Sequence, residues 1–233
     1  MPTFRNYLVN TLGHNKGFIL FLIFLFSAKW CIADHYRVPT GSMLPTIAIG
    51  DHVLTDKLAY DIRFPFTDII LAETGTPERG DIIVFKYPKN PSENYVKRLI
   101  AVPGDRVEIL DGFVKVNGQI TLESPAGFKA TLDKLHTSAR PFNYLEILGG
   151  KRFTVQRIPF LSRDHRVIFT VPPGKYFFMG DNRDNSADSR SWGFVPRNYL
   201  LGKVKRVTWS YTLEGIIPKI HFGRFGKTLN EQA

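Results

Sequence analysis

The chain has 233 residues, 43% hydrophobic and 22% charged, which is enough length and apolar content for one sizeable core and excludes wholesale disorder. Its net charge of +10, from 31 Lys plus Arg against 21 Asp plus Glu, is spread along the chain without a nucleic-acid-binding signature, so it points to an anionic membrane surface and away from nucleic acid. Cys31 is the only cysteine and the six histidines are scattered, which excludes an internal disulfide or a CxxC motif and gives no zinc-ligand pair; neither metal nor cofactor is expected.

Residues 1–16 are polar and mildly basic, through Arg5 and Lys16, and residues 17–28 then read GFILFLIFLFSA without a charge. The apolar run is shorter than the roughly 20 residues of an average spanning helix, but Lys29 can snorkel and Trp30 suits an interface. Residues 17–35 are therefore read as one transmembrane anchor between a segment at 1–16 and a domain at 36–233. A cleavable signal peptide has the same basic start and short apolar run. Flanking charge favours a cytoplasmic N-terminus only slightly.

A few residues later comes Pro39-Thr40-Gly41-Ser42-Met43-Leu44-Pro45-Thr46. Two prolines fix φ at its edges and Gly41 frees the backbone, so the Ser42 hydroxyl sits on a constrained loop, one way to present a nucleophile. A plain linker between anchor and domain has the same composition.

Beyond it the pattern becomes short β-type runs separated by turn signals: 52–55, 81–87, 95–102, 106–110, 113–116, 167–171, 176–179 and 204–211. Asp111-Gly112 is a two-residue hairpin signal and Asn117-Gly118 a further turn. No long stretch repeats an apolar residue at helical spacing. The expected fold is mainly β, an antiparallel β-sheet domain with an inserted smaller β subdomain at 119–166, preceded by one N-terminal transmembrane helix.

Two further stretches carry chemistry. Lys97 lies mid-strand, after Tyr95-Val96 and before Leu99-Ile100-Ala101-Val102. A serine nucleophile needs a base, and a lysine serves if it is neutral; lowering its pKa to about 8 takes roughly 3 kcal/mol, which burial can supply. A solvent-facing lysine on an alternating strand is the plainer alternative. Residues 179–193 read MGDNRDNSADSRSWG. Counted from Asp184, the sixth position is Ser189 and the twelfth Val195, so the calcium-loop pattern fails. What remains is a dense set of acids, arginines and hydroxyls able to satisfy one another and rigidify a site.

With these stretches together, the chain resembles bacterial type I signal peptidases, membrane-anchored serine proteases with a Ser/Lys dyad. The resemblance rests on four ordered boxes: Ser42 to Thr46, Gly50-Asp51, Arg79 to Phe85 continuing to Tyr95-Val96-Lys97-Arg98, and Gly180 to Arg190. It implies that Ser42 is the nucleophile and Lys97 the general base. The oxyanion hole would be the Ser42 backbone N–H and the Thr40 hydroxyl, where many members carry serine. Ser186 would orient the lysine, and Asp181 with Arg98 and Asp188 with Arg190 would be supporting ion pairs. Tyr36, Val38, Pro39, Met43, Ile47, Val53, Val84, Tyr95 and Val96 match the substrate-binding positions. The implied substrates are secretory preproteins cut after small residues (Ala-x-Ala). The implied setting is the bacterial inner membrane, with a single-pass anchor, a cytoplasmic segment at 1–16, an extracytoplasmic domain, contact with the lipid bilayer and function as a monomer. Two alternatives stay open on the residues: a Ser/Lys enzyme with a narrow client, and an inactive tethered β domain that binds peptides.

Overall fold

The computed structural model describes residues 15–110, 113–122, 140–159, 166–214 and 217–229. Helix α1 (Lys16–Ile32) carries the apolar run. Among the described residues no helix is long and apolar enough to cross a membrane, α1 having 17 residues. The helical segment stops short of residue 35, because Ala33–Arg37 form strand β1, with Tyr36 opposite Val53 and His35 opposite Leu54 of β2 (Asp51–Asp56).

The chain is mainly antiparallel β. After β2, a hairpin of β3 (Asp61–Arg63) and β4 (Ile70–Glu73) stands apart from the main sheet. The strands β5 (Ile82–Tyr87) and β6 (Asn90–Ala101) then pair with Ile83 opposite Lys97. The β7 (Arg106–Leu110), β8 (Phe113–Val116) and β9 (Gln119–Ile120) strands follow, and the turn expected at 111–112 lies outside the described residues. A second hairpin, β10 (Phe142–Leu148) and β11 (Lys151–Arg157), turns at Gly149-Gly150, both with positive φ. Then come β12 (Arg166–Thr170), β13 (Lys175–Met179), the short helix α2 (Ser189–Trp192), β14 (Val195–Pro196), the long β15 (Leu200–Glu214) and β16 (Ile217–Ile220).

The main sheet runs β1-β2-β15-β5-β6-β13-β14, with β16 on β15; a four-stranded sheet runs β12-β7-β8-β9. Strand β5 explains why both of its faces are apolar. Ile82 and Val84 enter one core cluster, with Met43, Ile47 and Val53, while Ile83 and Phe85 enter another, with Leu99 and Phe178. Each such side chain contributes about 1.5–3 kcal/mol on full burial, so β5 is fixed from both sides. A third cluster joins Ile100 and Ala101 of β6 and Phe177 and Met179 of β13 to Val107 of β7 and to Phe153 and Val155 of β11. Through it, the described part of the expected insertion at 119–166 packs on the core that carries the site strands.

Candidate active site

Ser42 is placed by a loop anchored at both ends. Val38 N–H donates to the Asp51 carbonyl (2.8 Å) and Gly50 N–H to the Val38 carbonyl (2.9 Å), closing the loop at its neck. Gly50 has φ +86, and a Cβ there would stand 2.1 Å from the Tyr211 carbonyl oxygen, so only glycine fits. Inside the loop Met43 and Ile47 are fully buried, which sinks the segment into the core and leaves Ser42 at the surface of a cleft.

Lys97 comes from β6. Its Nζ lies 2.6 Å from Ser42 Oγ and donates to the Val96 carbonyl at 3.1 Å. The side chain is only 4% exposed. Burial pushes its pKa down to about 8, against the opposing charges of Asp188 and Asp181. Thr40 Oγ1 lies 3.4 Å from Ser42 Oγ, on the cleft side of the loop.

The segment after β13 locks these two pieces together. Arg98 grips Asp181 with two hydrogen bonds, of 2.8 and 2.7 Å, and donates a third to the Gly80 carbonyl; both side chains are buried. Thr46 Oγ1 donates to the same Asp181 at 2.5 Å, and Asn182 N–H donates to the Ser42 carbonyl at 3.1 Å. Asp188 caps α2, accepts from the Gly180 N–H and pairs with Arg190 at 2.7 Å. A Cβ on Gly180 would lie 2.3 Å from both the Ser42 carbonyl oxygen and Ser186 Oγ, so the close approach of the two loops requires glycine there.

Ser186 does not make the expected contact with Lys97. Its Oγ is buried beside Gly180 and Ser42 but has no hydrogen-bond partner, while the Lys97 amine is directed to Ser42 and the Val96 carbonyl. The substrate-matching positions divide by location. Tyr36, Val38, Pro39, Val84, Tyr95 and Val96 line a cleft of about 670 Å³ that also contains Ser42 and Lys97. By contrast Met43, Ile47 and Val53 are fully buried in the core. The cleft adds Arg37, Glu93, Asn94, Asn185 and Ala187, which sequence reasoning did not single out.

It also did not foresee the support behind the Gly180 loop. Arg183, fully buried, makes two bonds to Glu146 of β10 (2.6 and 2.8 Å), and Arg157 of β11 pairs with Asp184 at 2.9 Å. Glu146 and Arg157 lie 37 and 27 residues away from their partners. No local spacing rule connects them; only the charge signs are visible beforehand.

A serine hydroxyl in hydrogen-bond reach of a buried amine, beside an apolar cleft in an antiparallel β domain, is an arrangement chemically able to generate a serine nucleophile with an amine as base. The comparisons make the class specific. The family described as "Signal peptidase, peptidase S26" matches residues 12–209. Signal peptidase I of Pseudomonas aeruginosa is 34% identical over 225 residues, covering 91% of this chain and 78% of that protein. Signal peptidase I of Aquifex aeolicus is 35% identical over 237 residues, covering 87% and 85%. The chain belongs to the S26 signal peptidase family.

Proposed function

We propose that this chain removes signal peptides from preproteins with Ser42 as nucleophile and Lys97 as general base. The observation that carries the reading is the 2.6 Å approach of Lys97 Nζ to Ser42 Oγ, with the lysine buried and its pKa pushed down to about 8. Neutral Lys97 takes the hydroxyl proton as Ser42 attacks the scissile carbonyl, and then returns it to the leaving amine. Thr40 Oγ1, together with the Ser42 N–H, stabilises the oxyanion. Water, deprotonated by the same lysine, then hydrolyses the acyl-enzyme. Ser186 supports the packing of the two loops around Gly180.

The substrate is bound as an added strand. Strand β13 pairs with β6 only from Arg98 to Ala101, so the β6 edge at Tyr95–Lys97 opens into the cleft facing the chain after β1, at Val38–Thr40. An extended peptide placed there gains backbone hydrogen bonds on either side. Val38, Val84 and Val96 leave shallow apolar room suited to the small side chains of an Ala-x-Ala site, and Met43, Ile47 and Val53 fix those walls from behind.

Membrane attachment places the cleft where signal peptides emerge. The apolar helix α1, up to Ile32, serves as a single-pass anchor in the bacterial inner membrane, with 1–16 cytoplasmic and the β domain that starts with β1 at Ala33 outside, working as a monomer. Phe18, Leu20, Phe21, Leu25 and Phe26 of α1 are exposed, and the Trp30 ring packs tilted, with centroids 5.6 Å apart, against Phe66 of a hairpin loop that also exposes Phe64 and Ile69. Trp209, 41% exposed, adds an interfacial side chain on β15. The test is incubation of detergent-solubilised protein with a preprotein carrying an Ala-x-Ala site. A product cut after the second Ala, made by the wild type and absent with Ser42→Ala, is expected; equal cleavage by both overturns the assignment.

A further inference from the structure

The C-terminal segment holds the nucleophile loop from behind. Arg224 ends the 3-10 turn Phe222–Arg224 and turns its guanidinium onto the loop's far end. Its Nε donates to Asp51 Oδ1 at 2.7 Å, and its Nη2 donates both to the Asp51 carboxylate and, at 3.1 Å, to the Thr46 carbonyl. Asp51 is fully buried and accepts in addition from the Ala48 N–H at 2.8 Å, so one carboxylate and one guanidinium fix three points between residues 46 and 51.

The same segment is itself tied down. Val207 N–H donates to the Lys227 carbonyl, Gly226 N–H to the Val207 carbonyl and Leu229 N–H to the Lys205 carbonyl, at 2.9, 2.9 and 3.2 Å. Leu229 is buried in the cluster that contains Met43 and Ile47. The tail therefore grips the loop by an ion pair at Asp51 and a hydrogen bond at the Thr46 carbonyl and shares the core cluster of Met43 and Ile47, and it lies beyond residue 209, where the family match ends.

We propose that Arg224 is a positioning residue for Ser42. Its bond to the Thr46 carbonyl fixes the residue whose hydroxyl is tied to Asp181, and Asp181 holds Arg98, the neighbour of Lys97. Arg224, Thr46, Asp181 and Arg98 form one chain of polar contacts from the tail to the strand that carries the base. Breaking its first link lets the loop relax while the cleft walls at Val84, Tyr95 and Val96 stay in place. A displacement of about 1 Å at a nucleophile is worth roughly 100-fold in rate. The proposal rests on the Ser42/Lys97 reading.

Steady-state kinetics on a signal-peptide substrate, well below each variant's unfolding midpoint, test it. Arg224→Gln is expected to lower kcat about 10- to 100-fold with KM within about twofold, leaving the pH midpoint unmoved because Lys97 stays buried. Arg224→Lys, which keeps the charge, is expected to recover part of that kcat, and Asp51→Asn is expected to reproduce the loss without adding to it in the double variant. Val116→Ala, a core truncation in β8, is a control that lowers the unfolding midpoint without lowering kcat. Unchanged kcat in Arg224→Gln, or a loss matched by Val116→Ala at equal destabilisation, overturns the proposal. Lys97→Arg is measured alongside: if it stays active, the dyad reading itself has failed, and a loss confined to Lys97→Arg sinks the positioning role of Arg224 alone.

Discussion

Thr46 donates its hydroxyl proton to Asp181 at 2.5 Å across 135 residues of sequence, and that carboxylate is the one gripped by Arg98. One buried acid therefore joins the loop that carries Ser42 to the strand that carries Lys97. The separation of the proposed nucleophile and base is set by this contact as much as by the backbone of either element.

Removing the acid should be costly in a recognisable way. Asp181→Ala leaves Arg98 charged and unpaired at 2% exposure, and should destabilise the chain by about 3–5 kcal/mol in urea unfolding. Replacing both partners, Arg98→Met with Asp181→Leu, should regain most of that stability and still leave cleavage severely impaired, since Thr46 has lost its acceptor.

The proposed oxyanion role of Thr40 is separable from its shape. Thr40→Val keeps the branch and loses the hydroxyl, and should lower kcat by about 10²–10³ with little change in KM. Thr40→Ser keeps the hydroxyl and should stay within a few-fold of the wild type, as read by initial rates on the same substrate.

Gly180→Ala should behave as an active-site lesion although it adds one methyl group. The added Cβ meets the Ser42 carbonyl oxygen and Ser186 Oγ at 2.3 Å, so the two loops must part. A fall in kcat of about 100-fold, at an unfolding midpoint still well above the assay temperature, is expected.

Lys97 should cost stability at neutral pH. Its pKa is lowered to about 8 in the fold, so between pH 8 and its ordinary value of 10.5 the unfolded chain binds more protons, and stability rises with pH across that window. Lys97→Met should abolish cleavage and raise stability at pH 7 by up to about 3 kcal/mol, with the gain disappearing above pH 10.5. Thermal unfolding of both proteins at pH 7 and pH 10.5 measures it.

Much of this architecture is legible from local pattern. The runs 106–110 and 113–116 are the β7 and β8 strands residue for residue, and the apolar run of β5 reads as a strand because both of its faces are buried. The β3–β4 hairpin is hidden, because its pattern is inverted: Ile62, Phe64, Phe66, Ile69 and Leu71 are exposed while the charged Asp61 and Arg63 are the buried residues of β3. Strand β1 is masked by its continuity with an apolar helix. The alternation in β10 and β11 around Gly149-Gly150 is a hairpin signal, obscured by the polar residues on either side. At the site, Ser42, Lys97, Thr40, Asp181 and Arg98 come together from three motif-bearing stretches. Glu146, Arg157 and Arg224 reach the site region from positions where nothing in the sequence marks them, because charge pairing across 27 to 173 residues is a property of the folded topology.

The dependence of kcat/KM on pH tests the central assignment most directly, measured on an Ala-x-Ala preprotein for the wild type and Lys97→Arg between pH 6 and 10. The Ser42/Lys97 assignment predicts a wild-type rate rising about tenfold per pH unit below a midpoint near 8 and level above it. It predicts background cleavage for Lys97→Arg at every pH, because a guanidinium keeps its proton throughout this range. A flat wild-type profile, or wild-type rates from Lys97→Arg, would contradict it.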